Sequence, residues 1–162
     1  MAQKVDQLLV NAYVLCMDEG FNKYENGAVA VAKNKIIGVG PVEEIQNTFS
    51  ASEIIDCEGK ILMPGLVNAH THAAMTCFRG LADDLPLSRW LRERIWPAEK
   101  RWVSEEFVHD GTQLALLEML RGGTTCFNDM YFFPEVTARA AATAGVRASV
   151  GLIVIDFPSA WA

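Results

Sequence analysis

The sequence predicts an α/β fold: a small β lobe, then strands and helices alternating as in a parallel sheet or barrel. Three observations predict it. The first sixty or so residues are short β-prone runs broken by turn residues. After Gly59 the rhythm changes to long apolar strands separated by capped helices. With 162 residues, 51% of them hydrophobic, there is enough apolar material for a real core.

Taken in order, "QLLVNAYVLCM" is the first candidate strand, and "GAVAVAKNKIIGVG" reads as a hairpin with Asn34 in its tight turn. "PVEEIQNTF" suits one or two helical turns, and "SEIIDCEG" is a short strand ending in a glycine turn. Together they predict a small antiparallel sheet or half-sandwich with one face in need of cover. "KILMPGLVNAH" is a continuous apolar run, as a strand buried on both faces should be. In "LPLSRWLRERIWPAEKRW", Pro97 is expected to break or kink a helix, leaving Ala98–Trp102 near a bend. "SEEFVHDGTQLALLEMLRGG" is a helix with Ser104 as N-cap and Gly122–Gly123 as its stop. "TTCFNDMYF" is a second buried strand, and "PEVTARAAATAGVR" a second helix that opens on Pro134 and ends at Gly145. "ASVGLIVIDF" is a third strand. A complete eight-stranded barrel takes roughly 250 residues. The chain is therefore expected to hold only the first part of one.

A net charge of -6 leaves no basic footprint, which argues against nucleic acid or an acidic membrane as partner. The opening residues lack a signal-peptide pattern, and no apolar run approaches membrane-spanning length. A soluble, cytoplasmic protein is expected. Cys16, Cys57, Cys77 and Cys126 are far apart and form no C-x-x-C, so they read as buried apolar residues rather than as disulfides or zinc ligands.

His70 and His72 carry the chemistry. Residues two apart on a strand share a face, so both imidazoles should project together from the C-terminal end of the apolar strand, with Thr71 turned away. Each can give one ring nitrogen to a divalent ion. The bland alternative is two edge histidines that only make hydrogen bonds. Barrel enzymes keep their chemistry at the C-terminal strand ends, which favours the metal.

The run "ILMPGLVNAHTHAAMTCFRGLADDLPLSRWL", continued in "WPAEKRWVSEEF", "GTTCFNDMYFFPE" and "AGVRASVGL", resembles the amidohydrolase superfamily. It is similar in particular to the deaminases that act on 5'-methylthioadenosine and S-adenosylhomocysteine. The resemblance spans nearly the whole chain. It implies an α/β architecture in which residues 1–59 form a small β-sandwich lobe and residues 60–162 the first three strands of a (β/α)8 TIM barrel. It implies one zinc or other divalent ion per site, held by His70 and His72, and hydrolytic attack at C6 of a purine nucleoside. A third histidine, a glutamate proton shuttle, a fourth histidine and an aspartate come from later strands in this family. The isolated 162-residue chain is accordingly expected to be inactive, and its first partner is the remainder of the same polypeptide; a homo-oligomer is compatible. The separate deaminase class with H-x-E and P-C-x-x-C signatures does not apply, because neither occurs.

Glu99 aligns with the family's glutamate that grips the ribose hydroxyls, since a carboxylate accepts two hydrogen bonds from a vicinal diol. The alternative is a solvated glutamate beside Lys100 and Arg101. Trp90, Trp96 and Trp102 are packing residues or walls of an apolar pocket, with Trp90 the best candidate for the substrate. Asp129, at the end of the second strand, either orients a metal ligand or bonds to loops. His109 is read as structural, and Arg79 is expected to pair with Asp83–Asp84. Some members carry an arginine at the end of the third strand, where this chain has Val150. The rival activities are guanine or cytosine deamination and triazine hydrolysis; a non-catalytic fragment is the rival of another class.

Overall fold

The computed structural model describes residues 2–156, 159 and 161, and the chain divides into two units, Met1–Pro64 and Gly65–Ala162. The first is built around a long strand, β1 (Gln3–Leu15). It is followed by β2 (Lys23–Ala32), β3 (Lys35–Pro41), α1 (Val42–Thr48), β4 (Phe49–Asp56) and β5 (Ile61–Leu62). The order is β3-β2-β1-β4, with β5 also on β1. β2 lies antiparallel to both β1 and β3, but β4 and β5 run parallel to β1. The expected antiparallel sheet is therefore a mixed one: the helical turns of α1 let the chain return in the direction of β1 instead of folding back beside it.

The hairpin forms where the sequence places it, but its left-handed residue is Lys33 (φ 56°), one before Asn34. The Asp6 carboxylate accepts the Lys33 N–H and holds that conformation. Val5, Leu8 and Val10 of β1 bury with Ala28 and Ala30 under Val42, Ile45 and Phe49, so α1 covers one face. At Asn11 (φ 55°) the register with β2 shifts, and beyond it Ala12 and Val14 bury with Val29 in a separate cluster. A bulge of this kind re-aims the side chains that follow it.

The second unit is a parallel sheet, β6 (Leu66–Thr71), β7 (Thr124–Met130) and β8 (Arg147–Gly151), in the order β6-β7-β8. "KILMPGLVNAH" is thus not one strand. Met63–Gly65 interrupt it, β5 joins the first sheet and β6 the second, and Leu66 and Val67 are exposed at the sheet edge instead of buried on both faces. Pairing of β8 starts at Arg147 and ends at Gly151, so residues 152–156 are not strand, and Phe157 of the expected third strand lies outside the described residues.

Between β6 and β7 come a 3₁₀ segment (Ala73–Phe78), α2 (Leu87–Trp90), a π-helical turn (Leu91–Ile95), α3 (Trp96–Trp102) and α4 (Glu105–Arg121). Pro97 does not break this path. It sits in the first turn of α3, and the preceding π turn, in which Trp96 N–H reaches Leu91 O, widens the helix where a proline ring would crowd the carbonyl four residues back. Ala98–Trp102 are helical accordingly. α4 starts on Ser104, whose Oγ accepts the Phe107 N–H at 3.2 Å. α5 (Pro134–Ala144) ends on Gly145 in the left-handed region, φ 70°. Fully buried Phe127 of β7 packs with Ala115 and Leu116 of α4 and Ala140 and Ala141 of α5, fixing β7 as the central strand. Arg79 reaches α4, where Glu118 accepts from its guanidinium at 2.9 Å, rather than pairing with Asp83–Asp84. Its partner is the helix beside it, which holds a carboxylate in a fixed place that the loop does not offer. Among the described residues no helix is long and apolar enough to cross a membrane.

Candidate active site

The site lies at the C-terminal ends of β6 and β7. Three residue steps on β6, Asn68 to Thr71, pair with two on β7, Phe127 to Asp129, so β6 bulges across Ala69 and His70. His70 lies within the strand, and His72 is the first residue beyond it, capping the 3₁₀ segment. Their rings stand side by side, centroids 5.1 Å apart and edge to face at 82°. Thr71 turns toward β7, where its hydroxyl donates to Asp129 Oδ1 at 2.8 Å.

His72 Nδ1 is 2.6 Å from the carbonyl oxygen of Met130. A carbonyl only accepts, so Nδ1 carries the proton, and in the neutral ring the Nε2 lone pair is left for a ligand. Metal-binding histidines are held in this way by a carbonyl behind them. The donor set, two adjacent imidazoles of which one has its tautomer fixed, fits a borderline ion such as zinc. Among the described residues no group of three or more His, Cys, Asp or Glu is placed to hold a metal ion, so this chain offers the pair and no further ligand of those types.

Behind the pair, Asp129 is fully buried and its Oδ1 also accepts the Ala73 N–H at 2.6 Å. Burial pushes its carboxyl upward, against the pull of the Ala73 and Thr71 hydrogen bonds.

A cavity of about 440 Å³ opens beside His72. Met75, Trp90, Ile95, Glu99 and Tyr131 line it, together with apolar residues 152–155. Glu99 is 8% exposed, and its Oε1 accepts the Tyr131 hydroxyl at 2.9 Å. Burial raises the Glu99 carboxyl, while the Tyr131 hydrogen bond opposes that rise. Burial and the neighbouring Glu99 push the Tyr131 phenol upward, so it stays a neutral donor. Trp90 is anchored by its indole N–H, which donates to Ala82 O at 3.1 Å, and presents its apolar body to the cavity.

The profile of the Amidohydrolase family matches residues 61–160. The chain belongs to the amidohydrolase family. Among its relatives, a 5-methylthioadenosine/S-adenosylhomocysteine deaminase of Saccharophagus degradans is 54% identical over 138 residues, 85% of this chain and 31% of the relative. A 5'-deoxyadenosine deaminase of Methanosarcina mazei is 49% identical over 150 residues, 91% of this chain and 34% of that protein. An adenosine deaminase of Xanthomonas campestris, solved with bound zinc, superposes with a TM-score of 0.95 at 47% identity, over 100% of this chain and 37% of that one. The chain spans about a third of the length of the curated relatives it matches.

Within this amidohydrolase chain the structure brings His70 beside His72, and places His72, Glu99 and Trp90 around one cavity. Trp96 lines the same cavity. Trp102 is 57% exposed, with the Arg101 guanidinium over its ring. His109 turns to its own helix, Nδ1 at 2.9 Å from Asp110 Oδ1 and Nε2 accepting from Gln113 at 3.2 Å. Val150 pairs with Asp129 across the sheet. Sequence reasoning missed Tyr131 and the Met130 carbonyl. A tyrosine two residues past a buried strand-end aspartate was a usable signal for the first, because its hydroxyl must find a partner when buried. A backbone acceptor leaves no signal at all.

Proposed function

We propose that these residues form the opening part of the active site of a zinc-dependent enzyme that hydrolytically deaminates adenine nucleosides, with 5'-methylthioadenosine and S-adenosylhomocysteine as substrates. The observation that carries this reading is the pairing of a freed His72 Nε2 beside His70 with a buried carboxylate, Glu99, across one largely apolar cavity. His70 and His72 are the zinc ligands of this chain. Bound zinc supplies Lewis acidity that activates water at neutral pH. The Met130 carbonyl keeps the His72 tautomer that ligation needs. Glu99 accepts from the ribose hydroxyls, and Trp90, Met75 and Ile95 keep water from the purine and the 5' substituent.

In the same reading β6, β7 and β8 are the first three strands of a (β/α)8 TIM barrel, the part expected over residues 60–162, and the first unit is a β-sandwich lobe. Later strands of the same polypeptide bring the remaining ligands and the proton shuttle. The relatives' names support this choice of substrate, as does the zinc in the Xanthomonas structure.

The test is Glu99→Ala in the full-length polypeptide, assayed on 5'-methylthioadenosine and on its 2',3'-dideoxy counterpart. We expect kcat/KM on the ribonucleoside to fall about tenfold or more, as lost hydrogen bonds to a charged group predict, while the dideoxy compound is little affected. Equal losses on both would remove Glu99 from the ribose. Faster turnover of guanine, cytosine or a triazine than of any nucleoside would move the enzyme to another amidohydrolase reaction.

A further inference from the structure

We infer that Tyr131 is a positioning residue for nucleoside recognition: its hydroxyl commits one oxygen of Glu99 inside the protein and so presents the other to the vicinal diol. The inference rests on the reading of Glu99 as the ribose-binding carboxylate.

The two residues come from different elements, Glu99 from α3 and Tyr131 from just beyond β7, and meet through one buried hydrogen bond of 2.9 Å. Tyr131 is 5% exposed. Its ring is wedged with Ala74, Val103, Val108 and Val136, and lies against Phe132 at 5.0 Å between centroids and His72 at 6.3 Å. A phenol packed on so many sides cannot follow a carboxylate that moves. The long, rotatable glutamate must come to it.

Without that anchor, Glu99 has several rotamers and only one of them serves a diol. The anchor selects it before substrate arrives, which lowers the ordering cost of binding. Each carboxylate oxygen has acceptor capacity to spare, so holding Oε1 leaves Oε2 for a ligand in the cavity that Glu99 lines. Tyr131 also neighbours His72, so one rigid ring references the sugar-binding group to the metal-binding edge.

The experiment uses the full-length, zinc-loaded protein and measures calorimetrically the binding of the deaminated product nucleoside and of its 2',3'-dideoxy analogue. Zinc content and thermal midpoint are recorded for every variant. Tyr131→Phe should weaken the ribonucleoside about fivefold or more and leave the dideoxy analogue unchanged, with KM rising more than kcat falls. In Glu99→Ala, adding Tyr131→Phe should cost the ribonucleoside nothing further. Glu99→Asp provides a second test that leaves Tyr131 in place: the shorter side chain withdraws from a fixed phenol, and the diol-specific affinity should drop. Equal weakening of both ligands, additive losses in the double variant, or full ribonucleoside affinity in Tyr131→Phe or Glu99→Asp overturns the inference. If Glu99→Ala itself spares ribose binding, the reading of Glu99 fails first and takes the inference with it.

Discussion

Asp129 serves the candidate site without reaching the cavity. Its Oδ1 accepts from the Ala73 N–H and the Thr71 hydroxyl, the two residues on either side of His72. Oδ2 has no hydrogen-bond partner among the described residues. Burying such a group is costly unless its bonds hold something in place. What they hold is the backbone through which His72 leaves the strand. Asp129→Ala would strand the buried Ala73 N–H, a loss of about 1–3 kcal/mol, while the Thr71 hydroxyl keeps the Asn128 carbonyl at 3.0 Å as its acceptor. We predict that zinc affinity, measured by chelator competition on the full-length protein, falls about tenfold or more. Asp129→Asn, which keeps an acceptor, should recover part of it; undiminished zinc affinity in Asp129→Ala would rule out the positioning role. His70, His72 and Glu99 could be named from the sequence because the roles proposed for them belong to their side chains, and the structure sets His70 beside His72 and Glu99 across one cavity from it. Asp129 was legible only as one of two alternatives, since sequence does not say which N–H groups a buried acid will meet. Met130 acts through its carbonyl, and any residue type there offers the same oxygen.

At the scale of elements, helix α4 is set by how closely it approaches the 3₁₀ segment that follows the histidines. A Cβ on Gly111 would lie 2.5 Å from the Ala74 carbonyl oxygen and 2.9 Å from the Ala74 Cα. Alanine mid-helix would ordinarily gain about 1 kcal/mol over glycine. Here the clash is with backbone, which cannot rotate aside, and overpacking costs about 1–3 kcal/mol. Gly111→Ala should therefore lower the thermal midpoint, and a rise would show that the segment yields freely. Capped helices and the glycine stops were readable because their signals are local: Ser104, Pro134 and Gly145 all take their expected places. "KILMPGLVNAH" was misread because an apolar run does not record where its hydrogen bonds change partner sheet. Pro97 was misread because its effect depends on five residues before it, and their π turn has no sequence signature of its own.

For the whole molecule, the sequence conveyed two kinds of architecture but not their partition among sheets. β6 leaves Leu66 and Val67 exposed, and beyond β8 Leu152 and Val154 are 81% and 98% exposed. Such apolar surface in one parallel unit is more than an isolated soluble domain normally shows, since parallel sheets are covered on both faces. Under the proposed function, later strands of the same polypeptide cover it. The 162-residue chain on its own should give no measurable deamination, bind a hydrophobic dye strongly and self-associate by light scattering. The full-length protein should do neither of the last two. Turnover by the short chain at the rate of the long one would refute the proposed division of the site.

The wide turn at Leu91–Ile95 fixes more than the path around Pro97. A π turn is an ordinary helix that has absorbed one extra residue, so losing one of those five would close it to normal pitch with the following helix still on its bearing, but losing a second would swing everything after it by about 100°. Glu99 would then face away from its phenol and from the cavity mouth. The direction in which this acid looks is a matter of counting, and length in that stretch is constrained even where side-chain identity is free.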